Sequence, residues 1–100
     1  MVKHVVFWRL KPEAHGHTAA QNAQLIKEKL EALVGVIPGL LSVEVGFDLA
    51  RFEQASDVAL YATFDSREAL AAYDVHPAHK AVVPFITDAR AERWAVDYDV

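Results

Sequence analysis

The chain contains no cysteine. Disulfides, thiolate nucleophiles and Cys-based zinc or iron–sulfur sites are therefore excluded. Nor does it hold any run of about 20 apolar residues, the length that spans a bilayer. The opening stretch Met1–Leu10 is interrupted by Lys3, His4 and Arg9 and lacks the apolar core and small-residue cleavage site of a signal peptide. Cytoplasm is the expected location. Positive charge is scarce, with 10 Lys and Arg against 14 Asp and Glu, for a net charge of −4. The basic residues are scattered among acids, which argues against nucleic acid or an anionic membrane as partner. Gly35, Gly39 and Gly46 each have a local turn or strand explanation and build no phosphate loop, so no cofactor is expected.

What is present is a core. The hydrophobic fraction is 53% and the charged fraction 24%, outside the range of disordered chains. At 100 residues the length suits one domain, 1–100. His4 to Leu10 is β-branched and aromatic, a strand, and Lys11-Pro12 ends it. Glu13 to His17 reads as a loop. Thr18 with Gln21 makes a capping box, and Ala19, Ala23, Ile26, Leu30, Leu33 and Val34 recur at helical spacing until Gly35. Pro38-Gly39 is a turn pair. Leu41, Val43, Val45 and Phe47 alternate with polar or small residues as a half-buried strand. Leu49 to Asp57 reads as a hairpin loop and Val58 to Phe64 as the next strand. Asp65 or Ser66 caps a short helix through Tyr73, with Glu68 placed for a D-x-x-E box. Pro77 opens another turn or two ending near Pro84, and Trp94, Val96, Tyr98 and Val100 alternate as a last strand. The order β-α-β-β-α-β predicts an α+β, ferredoxin-like fold with a four-stranded antiparallel sheet.

The first strand is apolar on both faces, His4, Val6, Trp8 and Leu10 opposing Val5 and Phe7, and the third likewise. Such strands are covered on both sides. Two helices cover only one side of a four-stranded sheet, and the patch left over is larger than a monomer tolerates. A homodimer through sheet faces is expected.

The residues also carry a resemblance. Lys3-His4-Val5-Val6, Ile37-Pro38-Gly39, Val45-Gly46 and above all Phe64-x-Ser66-x-Glu68-Ala69-Leu70-x-x-Tyr73-x-x-His76-Pro77-x-His79 resemble the stress-responsive α/β barrel family, also called dimeric A/B barrel (Dabb), nearly end to end. The resemblance implies a ferredoxin-like fold, strand order 4-1-3-2 and a dimer with facing sheets. It implies no single activity, because the family holds proteins without known chemistry as well as a plant polyketide cyclase. In that cyclase the residues matching Tyr73 and His79 are the catalytic pair, and the one matching His4 lines the same pocket. Leu30 and Val58 stand where the cyclase has a tyrosine and a histidine, which makes the identical reaction unexpected here.

The candidate site is accordingly Tyr73 and His79 as an acid–base pair, with His4, Val6, Trp8, Leu30 and His76 around a small apolar pocket. His79 can exchange a proton near neutral pH, and Tyr73 can hydrogen-bond a carbonyl oxygen. Each has a structural alternative: His76 as a cap before Pro77, Tyr73 as a core aromatic with its hydroxyl tied to backbone, and Trp8 filling much of the pocket. His15-x-His17 and His76-x-x-His79 have ligand-like spacing, but no acidic residue completes either pair and no metal is expected. The functional readings are a homodimer binding a small apolar or aromatic ligand without catalysis, a cofactor-independent cyclase or lyase acting on a carbonyl compound, and, by fold analogy alone, a monooxygenase. A cavity reached by His79 favours the second over the first; a filled interior favours the first.

Overall fold

A computed structural model describes residues 1–49 and 57–100. Strand β1 (Val2–Leu10) alternates as its sequence requires, burying Val2, His4, Val6, Trp8 and Leu10 and leaving Phe7 53% exposed. Residues 13–17, expected as a loop, instead form a small hairpin of β2 (Glu13–Ala14) and β3 (His17–Thr18). Its two connecting residues, His15 and Gly16, have φ of 56° and 74°. Positive φ at both positions is what a type I′ turn demands.

Helix α1 (Ala19–Glu31) begins at the capping box: Thr18 Oγ1 accepts from Gln21 N at 3.2 Å, and Gln21 Oε1 accepts from Thr18 N at 2.9 Å. Ala19, Ala23, Ile26 and Leu30 bury its apolar stripe. The helix stops before Gly35, at the C-cap Ala32, because bonds such as Leu33 N to Leu30 O (3.1 Å) tighten the chain into turns. Leu33 is buried in those turns and Val34 stays 41% exposed.

Gly39 then has φ of 82°, and a Cβ there would lie 2.5 Å from Ala69 Cβ. Only glycine meets both conditions. Strand β4 (Leu40–Phe47) pairs with β5 (Asp57–Phe64). The loop expected between them falls, for residues 50–56, outside the described residues. Ser66 is the cap of α2 (Arg67–Val75), accepting from Ala69 N at 3.1 Å, so the D-x-x-E box from Asp65 does not form. Helix α3 (Pro77–Ala89) runs past Pro84 instead of ending there. Pro84 removes one donor to the preceding turn, but Val82, Ile86 and Ala89 continue a buried stripe through it. Packing outweighs the lost bond. Strand β6 (Arg90–Asp99) closes the sheet.

The sheet is antiparallel throughout, in the order β4-β5-β1-β6, a ferredoxin-like fold. The helices cover the face bearing Val6, Trp8, Leu60 and Phe64. Strand β6 turns its apolar residues the other way. Trp94 lies opposite Phe7, Val96 opposite Val5 and Tyr98 opposite Lys3, and these three are 51%, 61% and 44% exposed. With Phe7 and Tyr61 they form an open apolar face. At the β4 edge, Lys27 Nζ donates to Val45 O (2.9 Å) and Glu31 Oε2 accepts from Val45 N (3.3 Å), satisfying backbone groups an edge strand otherwise leaves free. Among the described residues no helix is long and apolar enough to cross a membrane.

Candidate functional site

Between the covered sheet face and the helices lies a cavity of about 280 Å³. Its apolar wall comes from Val6 and Trp8 on β1, Leu60 on β5, Leu30 on α1, and Val83 and Ile86 on α3. His4, Tyr73 and His79 supply its polar groups, and Thr87, Arg90 and Arg93 complete the lining. Six of the residues expected around a pocket are therefore together: His4, Val6, Trp8, Leu30, Tyr73 and His79. Trp8, 5% exposed, lies in the wall and leaves the space open. His76 is not part of the lining. It is the N-cap of α3, its Nδ1 accepting from Ala78 N at 3.0 Å, with Pro77 at N1 as the sequence alternative has it. His15 is likewise committed elsewhere, stacked on Phe85 with ring centroids 4.2 Å apart. Val58 is buried in the core but does not line this cavity.

The polar groups form one connected set. The Tyr73 ring sits 4.1 Å from that of His79 and 6.0 Å, edge-on, from that of His4, and Phe64 closes its back at 5.0 Å. Among the described residues none hydrogen-bonds the Tyr73 hydroxyl. Burial, helped by the charge of Asp74 and opposed by Arg93, pushes that phenol up to about 12. It stays protonated at physiological pH, a donor and not a base.

His79 Nδ1–H donates to the Asp74 carbonyl over a long 3.4 Å. Burial holds its imidazole below the ordinary histidine value; the Asp74 carbonyl and charge oppose this, and His4 and Arg93 add to it. A neutral ring whose Nδ1 carries the proton presents Nε2 as an acceptor. On the other side, His4 Nδ1–H donates to the Asp97 carboxylate, which fixes its ring.

Asp97, Arg90, Arg93, Val83, Ile86 and Thr87 were not anticipated in the sequence. Val83, Ile86 and Arg90 follow His79 at four, seven and eleven positions, one helical face with its end. A helix stopped at Pro84 hides that spacing. Asp97 meets His4 only through the β1–β6 register, where the two are direct partners. That pairing spans the whole chain, and no local pattern announces it.

The fold recurs in known proteins. A dimeric protein of ferredoxin-like fold from Bacteroides fragilis is 29% identical, with a TM-score of 0.84 over 99% of this chain and 95% of its own. A dimeric ferredoxin-like protein from Thermobifida fusca is 25% identical, with a TM-score of 0.80 over 99% of this chain and 90% of its own. An antibiotic biosynthesis monooxygenase matches at 18% identity and a TM-score of 0.79 over 100% and 98%, a likeness of fold alone. No curated protein matches the sequence significantly. The model of the stress responsive A/B barrel domain matches residues 2–100, and with the β4-β5-β1-β6 sheet already in view the chain belongs to that family.

Proposed function

We propose that the chain is a homodimer, joined through its open sheet face, whose cavity binds a small aromatic or apolar carbonyl compound and handles its protons through His79 and Tyr73. The observation that carries the ligand reading is the Tyr73 hydroxyl. Among the described residues it has no hydrogen-bond partner; it stands in the wall of an apolar cavity of about 280 Å³ and lies beside a half-buried His79. That volume lies just below the ~300–1,000 Å³ typical of small-molecule sites, enough for one ring and a short substituent. A carbonyl oxygen accepts from Tyr73. Neutral His79 Nε2 takes the proton from the adjacent carbon, and the C–H electron pair moves into the enolate, whose oxygen keeps the phenol hydrogen bond. Returning that proton, or directing the enolate carbon to an electrophile, gives isomerase, lyase or cyclase chemistry without a cofactor. His4, oriented by Asp97, is a second polar group on the far side of Tyr73. The dimer reading is supported by the exposed row of Phe7, Tyr61, Trp94, Val96 and Tyr98 and by the dimeric state of the similar proteins.

Acetophenone in D2O tests the ligand reading in one sample. The expected result is chemical-shift perturbation at Val6, Tyr73, His79 and Ile86, with methyl deuteration faster than buffer. His79→Gln should abolish that acceleration and Tyr73→Phe reduce it about 10- to 100-fold, as for lost oxyanion donors and bases. Perturbation confined to the segment Leu49 to Asp57, or none at all, would overturn it.

A further inference from the structure

The cavity lining contains two arginines, Arg90 and Arg93, and no carboxylate. In a chain with 14 acidic and 10 basic residues, that local imbalance runs against the whole. Both arginines are placed by the fold. Arg93, exposed on the edge strand, is the β6 partner of Trp8 and lies on the same side of the sheet, and Arg90 follows the last turn of α3 opposite Leu10. Three other cations have an acidic partner: Arg67 binds Asp99, Lys27 binds Glu31, and Arg9 stands near Glu92. Among the described residues, neither Arg90 nor Arg93 is paired with an acid. The Asp97 carboxylate is engaged by His4. The charge of Arg93 is nevertheless felt inside, opposing protonation of His79 and favouring ionisation of Tyr73.

An unpaired guanidinium at an apolar cavity suits a planar oxyanion, which it grips through two parallel N–H bonds. We infer that the cavity takes an aromatic oxo acid, its carboxylate held by Arg93 with Arg90 beside it, its ring against Val6, Trp8 and Leu30, and its keto oxygen on Tyr73. This rests on the ligand-binding reading above and names the ligand class. The single-ring volume and the phenol donor are shared with a neutral ketone. The two arginines are what distinguish the acid, and Arg93 is the specificity-determining residue.

Calorimetric titration with benzoylformate and with its neutral amide, benzoylformamide, separates the possibilities. Wild type should bind the acid about tenfold tighter than the amide, as charge-assisted pairing to a guanidinium implies. Arg93→Gln should erase that difference and leave the amide unchanged, and Arg93→Lys should restore only part of it. Raising salt from 0.05 to 0.5 M should weaken the acid alone, a readout that needs no variant. Equal wild-type affinities, or an Arg93→Gln loss shared by both compounds, overturns the oxo-acid assignment while the cavity remains a ligand site. If neither compound binds, the ligand reading itself falls and this inference with it.

Discussion

At Tyr73 and His79 the environment sets opposite roles for two groups in contact. Burial raises the phenol to about 12 and lowers the imidazole, so the first remains a donor and the second a neutral base. The histidine shift has a stability consequence. Unfolded, His79 takes up its proton near pH 6.5; folded, it does so only at lower pH. Its contribution is therefore complete above about pH 6.5 and is lost as pH falls from there to the folded value, because the unfolded state binds more protons in that window. Urea melts at pH 8 and pH 5 should show wild type losing more on acidification than His79→Gln, and equal losses would contradict the burial argument. At pH 8 His79→Gln should cost about 1 kcal/mol, mostly its ring contact with Tyr73. Leu30→Ala, truncating a side chain that is 2% exposed, should cost about 2–5 kcal/mol. A histidine variant as unstable as the leucine variant would mark His79 as structural. Tyr73, His79 and His4 were legible as site candidates through the resemblance of their string and strand start to the pocket of the cyclase relative. Asp97 and Arg93 were not, since only the strand register gives them neighbours.

The elements were legible wherever a local rule decides them. Thr18 and Gln21 announce the start of α1, and both hydrogen bonds are in place; Thr18→Ala should cost about 1 kcal/mol in thermal or urea unfolding. An unchanged midpoint would mean that the cap is redundant. The rules failed where packing overrides them. Pro84 is a helix breaker by backbone chemistry, yet α3 continues because its buried stripe spans the proline. Glu13 to His17 has too few residues to show an alternating pattern, so its hairpin depends on the positive φ of His15 and Gly16. The β4 edge offers a sharper test of element-level contacts. Glu31 accepts from Val45 N, and Lys27, whose ammonium also holds the Glu31 carboxyl below its usual range, donates to Val45 O. Glu31→Ala should speed hydrogen exchange at the Val45 amide while leaving Leu60, in the interior strand, protected. Unaltered exchange at Val45 would show that the side chain adds nothing to the edge.

For the whole molecule, the two-sided apolar character of β1 carried the most information. One of its faces is buried under the helices, and the other lies in an open row with Trp94, Val96 and Tyr98. The sheet thereby separates two tasks: the covered face bounds the cavity, and the open face is the proposed seat of a second copy. Phe7→Glu places a carboxylate in the middle of that row, where burial without a partner is costly, and should shift the protein towards monomer while leaving the cavity able to bind acetophenone. The division of the two faces is tested most directly by sedimentation equilibrium of wild type at micromolar concentration, with and without saturating acetophenone. The account predicts about twice 11.1 kDa in both samples, because ligand and partner occupy opposite sides of the sheet. A mass of one chain, or a mass that changes when the ketone is added, would contradict it.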